Sequence, residues 1–267
     1  METSDDRRWA RAAARIVAAR LSDDDVLDAL PELDRPTDET EGYAVQALVH
    51  RILSAAGMGT RSGWKIGCTT AVMQEYLGIS SPCAGGMFRE SSWRNSHRFP
   101  RATRGRVGVE CELAVRLAID VVPVGGEVGV HDAARAVATC MAAIEVVEDR
   151  YRDFRRLGVP TLVADDFFHH GCVLGAERSD VGAAELRAST AELRVNGAVV
   201  GSGSGKDILG EPMRALAWLA NSAASWGTPL RAGEVVLLGS IVPTRWVSEG
   251  DVASVVNLPL GKVSAEF

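Results

Sequence analysis

The chain has no C-x-x-C pair, no long apolar run and no excess of positive charge, and each absence removes a class of function. Its five cysteines, Cys68, Cys83, Cys111, Cys140 and Cys172, are odd in number and widely scattered. That pattern argues against a zinc or thioredoxin-like site and suits reduced thiols in a cytosolic protein. No stretch approaches the roughly 18 apolar residues that a membrane helix needs, and METSDDRRWARAAARIVAARL lacks the continuous apolar core of a secretory signal. The expected location is the cytoplasm, with no membrane partner. The formal net charge of -6 offers no dense positive field to a phosphate backbone, so nucleic acid is not an expected partner. GSGSGKD, residues 201 to 207, also falls short of a nucleotide-binding loop, because Val200 stands where the first glycine is needed and Asp207 follows Lys206. A hairpin exit is the simpler explanation of its glycines.

What remains is globular. Hydrophobic residues make up 46% and charged residues 24%, enough to bury a core and unlike a disordered chain. At 267 residues one core with an N-terminal appendage is expected. Trp9, Ile16, Val17 and Leu21 recur at helical spacing in an Ala-rich stretch. Asp38 followed by Glu41 resembles a capping box ahead of a second apolar stripe, Tyr43, Val45, Leu48, Ile52 and Leu53, that ends near Gly57. Glycines then divide runs too brief for helices, and strands are expected to begin. HDAARAVATCMA, residues 131 to 142, favours a short helix by propensity, and AIEVVE after it favours a strand. Asn196-Gly197 marks a hairpin, Pro212 opens a helix that Gly227 closes, and the tail reads as strands. The expected architecture is α+β: a helical N-terminal segment over residues 1 to 60, then a largely β domain over residues 61 to 267.

RVGVECELAVRLAIDV, residues 106 to 121, alternates strictly, with Val107, Val109, Cys111, Leu113 and Val115 on one face and Glu110 and Glu112 on the other. Two carboxylates with Cβ atoms about 7 Å apart can share one cation. Mg²⁺ or Mn²⁺ suits such oxygen ligands and leaves positions open for water and substrate. An ordinary strand with a solvated polar face is the competing reading of the same residues. Reading residues 143 to 148 as a strand puts Glu145 and Glu148 on opposite faces. Lys65, between the glycines of SGWKIGC, could supply positive charge or act as a base, or be a surface lysine on a turn. His169 and His170 point to opposite faces if they lie on a strand, so at least one is expected to be structural or solvent-facing. Asp165-Asp166 is either a substrate contact or a turn. Cys111 faces the apolar layer and is expected to pack. Cys83, in SSPCAGGMF, has no base beside it to activate a thiolate.

Taken in order, GWKIG, the Glu-x-Glu strand, AIEVVEDR, GSGSGKDILGEPMRALAWLAN and LLGSIVP resemble the fumarylacetoacetate hydrolase superfamily. The resemblance runs from about residue 38 to the C-terminus. It is nearest to the branch of 2-keto-4-pentenoate hydratases and 4-oxalocrotonate decarboxylases of aromatic meta-cleavage pathways. It implies a mixed β-roll with flanking helices, a homo-oligomer, and Mg²⁺ or Mn²⁺ held by Glu110, Glu112 and Glu145, with Glu145 preferred over Glu148. It also implies a small anionic oxo-acid substrate, bound with help from Lys65, Cys83, Asp166 and Ser240, with Lys65 the catalytic candidate. The reaction so implied is that of a hydro-lyase: a cation-stabilised enolate, protonation of the distal carbon, then addition of water to give a 4-hydroxy-2-oxo acid. Decarboxylation and carbon-carbon hydrolysis of an acylpyruvate are the enzymatic alternatives, and a metal-free binding protein is the non-enzymatic one. Hydrolysis ranks below hydration because His50, inside a predicted helix, is the only histidine in the first 60 residues. The chain departs from the hydratase pattern at three places. Cys83 stands where PDFG has its aspartate, Asp166 stands where Ala-Asp-Asn has its asparagine, and Lys206 adds charge to a loop that is usually neutral.

Overall fold

A computed structural model describes residues 4–22, 26–99 and 105–267. Two helices come first, α1 (Ser4–Leu21) and α2 (Glu39–Leu53). Asp38 caps α2 by accepting from the amide of Glu41. Glu41 does not return the bond to Asp38, as a capping box requires; its carboxylate takes the amide and hydroxyl of Thr37 and pairs with Arg8. The apolar faces of α1 and α2 meet in a cluster of their own, with Ala12, Ile16, Val45, Val49 and Leu53 packed on Phe88 and Ala164.

The chain continues through β1 (Arg61–Gly67), α3 (Ala71–Leu77), β2 (Cys83–Phe88), β3 (Ser92–Arg94), β4 (Ser96–Arg98) and β5 (Arg106–Leu117). Then come α4 (Val130–Arg135), β6 (Val137–Asp149), α5 (Val159–Ala164), β7 (His169–Leu174) and α6 (Ala183–Ala188). The last elements are β8 (Thr190–Val195), β9 (Ala198–Ser204), α7 (Pro212–Ser225), β10 (Val235–Ser240), β11 (Arg245–Val247), β12 (Val252–Leu258) and β13 (Gly261–Glu266). One mixed sheet runs β2-β1-β10-β5-β6-β7-β3, with β11 also paired to β5; a second runs β4-β13-β12-β8-β9. Asn196 and Gly197, both at positive φ, turn the hairpin between β8 and β9, which is the geometry that Asn-Gly favours.

Two further expectations are corrected. The stretch after Gly67 holds a helix, α3, capped by the Thr70 hydroxyl and stopped by Gly78 in the left-handed region; local capping sufficed where the apolar pattern was too short to signal it. The helix expected over residues 131 to 142 ends at Arg135, and Val137 to Ala142 are already strand. Pairing of Val137 through Ala142 with β5 outweighs the helix propensity of the alanines. The resulting β5/β6 ladder joins Arg106–Asp149 at one end to Leu117–Val137 at the other.

Alternation along this ladder divides the core. Val109, Cys111, Leu113 and Val115 face the second sheet and α7, as do Ala142, Ile144 and Val146. The opposite face carries Ala114, Met141, Ala143, Cys172, Leu174, Val235, Leu237 and Met87. Strands β2 and β7, though separated along the sheet, approach each other, so this face becomes the inside of a roll. The polar residues on the same alternation lie at one end of that interior.

Candidate active site

Glu110 and Glu145 are direct partners across β5 and β6, and Glu112 sits two residues along β5 on the same face. Ligand oxygens of all three lie within 4.8 Å of one another. The polar face of β5 is therefore not an ordinary solvated one: Glu112 and Glu145 are each 1% exposed. Glu110, at the mouth, keeps some solvent contact, although protein crowds its carboxyl. Glu148 faces away, near Arg150 at 3.7 Å and His170 at 3.2 Å.

Donors from three other strands and one loop support the three carboxylates. The amide of Gly239 donates to Oε2 of Glu112 at 2.9 Å. A Cβ on Gly239, which has φ 134°, would stand 2.3 Å from Oγ1 of Thr69, so this close approach needs glycine. Thr244 donates its hydroxyl to Oε1 of Glu110. His169 places Nδ1 2.8 Å from Oε1 of Glu145, and Lys65 brings Nζ to 3.4 Å from the same oxygen. Oε1 of Glu112 is buried with no hydrogen-bond partner.

Charge is distributed unevenly among these groups. Burial, then Glu145, push Glu110 up to about 7. Burial, then Glu145 and Glu110, push Glu112 well above its ordinary range. Burial acts in the same sense on Glu145, but Lys65 and His169 outweigh it and hold that carboxyl low. Lys65 is buried too, yet Glu145 and Glu110 more than offset the desolvation and keep it charged. Burial lowers His169, against the pull of Glu145. Lys65 thus balances Glu145, while Glu112 favours its protonated form and Glu110 is close to half-ionised at neutral pH. A buried acceptor oxygen without a donor, beside three converging carboxylates, is what a hard divalent cation satisfies. The donor set fits such an ion, and among the described residues no other trio of potential ligands lies so close.

Lys65 projects from β1, where its register partner on β2 is Gly85. A Cβ at Gly85 would lie 3.0 Å from Cε of Lys65 and 2.9 Å from Cβ of Asp166, so the lysine's path also depends on glycine. Nζ lies 3.4 Å from the carbonyl of Phe167. Asp166, Phe167 and Phe168 all have positive φ, a costly run for non-glycine residues. Asp166 anchors it, accepting from Arg20 at 2.6 Å, His50 at 2.8 Å and the Gly86 amide at 2.9 Å. Its carboxyl is fully buried; His50 and Arg20 outweigh desolvation and keep it ionised. The aspartate is thus engaged by the scaffold.

The remaining candidates divide in the same way. Ser240 is the β10 partner of Glu112, but its hydroxyl reaches the carbonyls of Val242 at 2.7 Å and Cys111 at 3.2 Å. Cys83 is buried, and the neighbouring Cys68 thiol, then burial, push its own thiol up, while Cys68 feels the charges of Lys65 and Glu110. Cys111 packs in the core. His50 lies against Gly86, on the opposite side of β2 from Gly85 and Lys65. Lys206 is exposed at the end of β9. Sequence reasoning missed Thr244, Gly239, Thr69 and Cys68. Of these only the glycine and the threonine beside LLGSIVP carried any local signal.

Residues 90–267 match the fumarylacetoacetate (FAA) hydrolase C-terminal family. The chain belongs to that family. It is 34% identical, over 99% of both chains, to a 2-keto-4-pentenoate hydratase of Paraburkholderia phymatum. It is 28% identical to a 2-hydroxyhexa-2,4-dienoate hydratase of Comamonas testosteroni, over 89% of this chain and 90% of that one. Among solved structures it superposes on 4-oxalocrotonate decarboxylase from Pseudomonas putida G7, complexed with magnesium and adipate. The TM-score is 0.89 at 25% identity, covering 98% of this chain and 97% of that chain. Full-length agreement with the hydratases identifies an enzyme of the hydro-lyase type within the family. No helix among the described residues is long and apolar enough to cross a membrane.

Proposed function

We propose that this chain hydrates a small 2-hydroxydienoic or 2-oxo acid such as 2-keto-4-pentenoate, using Mg²⁺ or Mn²⁺ held by Glu110, Glu112 and Glu145. The observation that carries this reading is the converging trio of carboxylates, in which Oε1 of Glu112 is orphaned and Oε1 of Glu145 lies 3.4 Å from a charged, buried lysine, in a chain that matches hydratases end to end. A divalent cation at these carboxylates would supply positive charge opposite the carboxylate and 2-oxygen of the acid. Lys65 adds a second positive charge on the same side, where it holds the substrate's carboxylate or passes a proton to the carbon chain. Its position rests on Gly85, Phe167 and Asp166, so Asp166 acts by placing the lysine. Ser240 likewise holds the end of β10 beside Glu112. Cys83 and Cys68 present thiols to the approach to Lys65 and bear on which acids fit. Water then adds to the activated chain, leaving a 4-hydroxy-2-oxo acid. The proposal extends to a cytoplasmic homo-oligomer serving aromatic catabolism.

The test supplies 2-hydroxypenta-2,4-dienoate to the purified chain with Mg²⁺ or Mn²⁺ and follows the loss of the diene's ultraviolet absorbance, with a chelator as control. Metal-dependent loss with formation of the 4-hydroxy-2-oxo acid is expected. No turnover together with no cation binding by calorimetry would sink the proposal. The likeness to the decarboxylase supports a second reading, in which a 4-oxalocrotonate-like acid loses carbon dioxide at the same site. Release of carbon dioxide from that acid, with no hydration of the dienoate, would favour it.

A further inference from the structure

His169 opens β7, and its ring is wholly buried at 0% exposure. Nδ1 lies 2.8 Å from Oε1 of Glu145, whereas Nε2 is buried without any hydrogen-bond partner. These two facts assign the proton. A proton on Nε2 would leave a buried donor with no acceptor and set a bare ring nitrogen against a carboxylate, so the hydrogen sits on Nδ1 and is donated to Glu145.

Glu145 has a choice of positions, since Lys65 lies 3.4 Å from the same Oε1. A carboxylate held only by a flexible ammonium would follow that ammonium. The imidazole comes from a different strand and its ring is fixed by burial, so it supplies a rigid second anchor. We infer that His169 is a positioning residue for the proposed cation site: its Nδ1–H keeps the Glu145 carboxylate turned toward Glu110 and Glu112. The inference rests on the reading of the three glutamates as cation ligands. Partners behind metal ligands set affinity because they restrict the ligand's orientation before the ion arrives.

Three variants separate this role from packing. In His169→Asn the side-chain amide reaches the place of Nδ1 and keeps the donor; in His169→Gln the amide reaches nearer the place of Nε2; in His169→Phe the ring volume stays and both nitrogens go. Mn²⁺ binding to the full chain, stripped of metal, is measured by calorimetry, with circular dichroism recorded for each variant. The expected result is a loss of Mn²⁺ affinity of about 10- to 100-fold in His169→Phe and His169→Gln, with His169→Asn close to the parent. Should His169→Phe be unfolded, the Asn and Gln pair still decides. Equal affinity in all folded variants, or equal loss in Asn and Gln, overturns the inference. If the unaltered chain binds no Mn²⁺, the cation reading itself fails, which is a different outcome.

Discussion

Replacing Glu112 with Gln should stabilise the metal-free protein at alkaline pH while abolishing its response to divalent cations. At the 4.8 Å limit that encloses the three carboxylates, two full negative charges repel by about 3.5 kcal/mol at an effective dielectric near 20. Glu112 avoids this by holding its proton, since burial and the two neighbouring glutamates raise its pKa. A carboxyl raised on folding contributes stability that is complete below its unfolded pKa near 4.3 and is lost as pH climbs toward the folded value. Each pH unit in that interval costs about 1.36 kcal/mol, so the parent loses stability steadily through this one group as the pH rises above the unfolded pKa. The substituted amide carries no proton to lose, and its oxygen can still accept from Gly239. Thermal unfolding in chelator should therefore show the variant overtaking the parent as pH rises, by about 2–4 °C for each kcal/mol the parent has lost in a chain of this size. Adding Mg²⁺ at about one hundred times its dissociation constant should stabilise the parent by about 2.7 kcal/mol and leave the variant unmoved. Parallel pH profiles, or equal stabilisation of both proteins by Mg²⁺, would refute the reasoning.

Lys65→Met should lower turnover by about 10²- to 10⁴-fold while calorimetric cation binding survives, because the lysine is not a ligand; loss of the circular dichroism spectrum would make it structural instead. Gly85→Ala places a methyl 2.9 Å from Cβ of Asp166 and 3.0 Å from Cε of Lys65. It should cost about 1–3 kcal/mol in thermal stability and depress turnover through the displaced lysine, and an unchanged rate would show that Lys65 has slack. Arg20→Ala removes one of the charges compensating the buried Asp166 and should cost about 3–5 kcal/mol, read as a lower denaturant midpoint. A change within error would mean that His50 and the Gly86 amide suffice.

The parts of the fold written in local pattern were legible. Strict alternation over residues 107 to 115 announced β5, Asn196-Gly197 announced its hairpin, and Pro212 with Gly227 bracketed α7. The misreadings fell where tertiary pairing opposed a local preference. Ala-rich residues 137 to 142 would suit a helix in isolation, yet they complete a ladder with β5 that buries both faces of the sheet. Helix α3 is short, and its side chains are partly or fully exposed, so it had no apolar stripe to display.

The site was legible to the same depth. A strand's two-residue period puts Glu110 and Glu112 on one face without reference to any other segment. Their meeting with Glu145 depends on register: a one-residue slip of β6 would turn Glu145 into the core and bring Glu148 inward. Alternation alone therefore could not choose between Glu145 and Glu148, and the ordered motifs were needed. The donors behind the carboxylates lay deeper still. The Gly239 amide has no side chain to notice, Thr244 is a lone hydroxyl in a loop, and His169 looked like half of an ambiguous pair. Each acquires a role only because β10, the loop before β11 and β7 converge on β5 and β6. The orphaned oxygen of Glu112 follows from the same convergence. Strand β5 turns both carboxylates inward, Thr244 and the β10 amide of Gly239 supply one donor to each, and Oε1 of Glu112 is left without a partner by an arrangement that neither pattern nor propensity encodes.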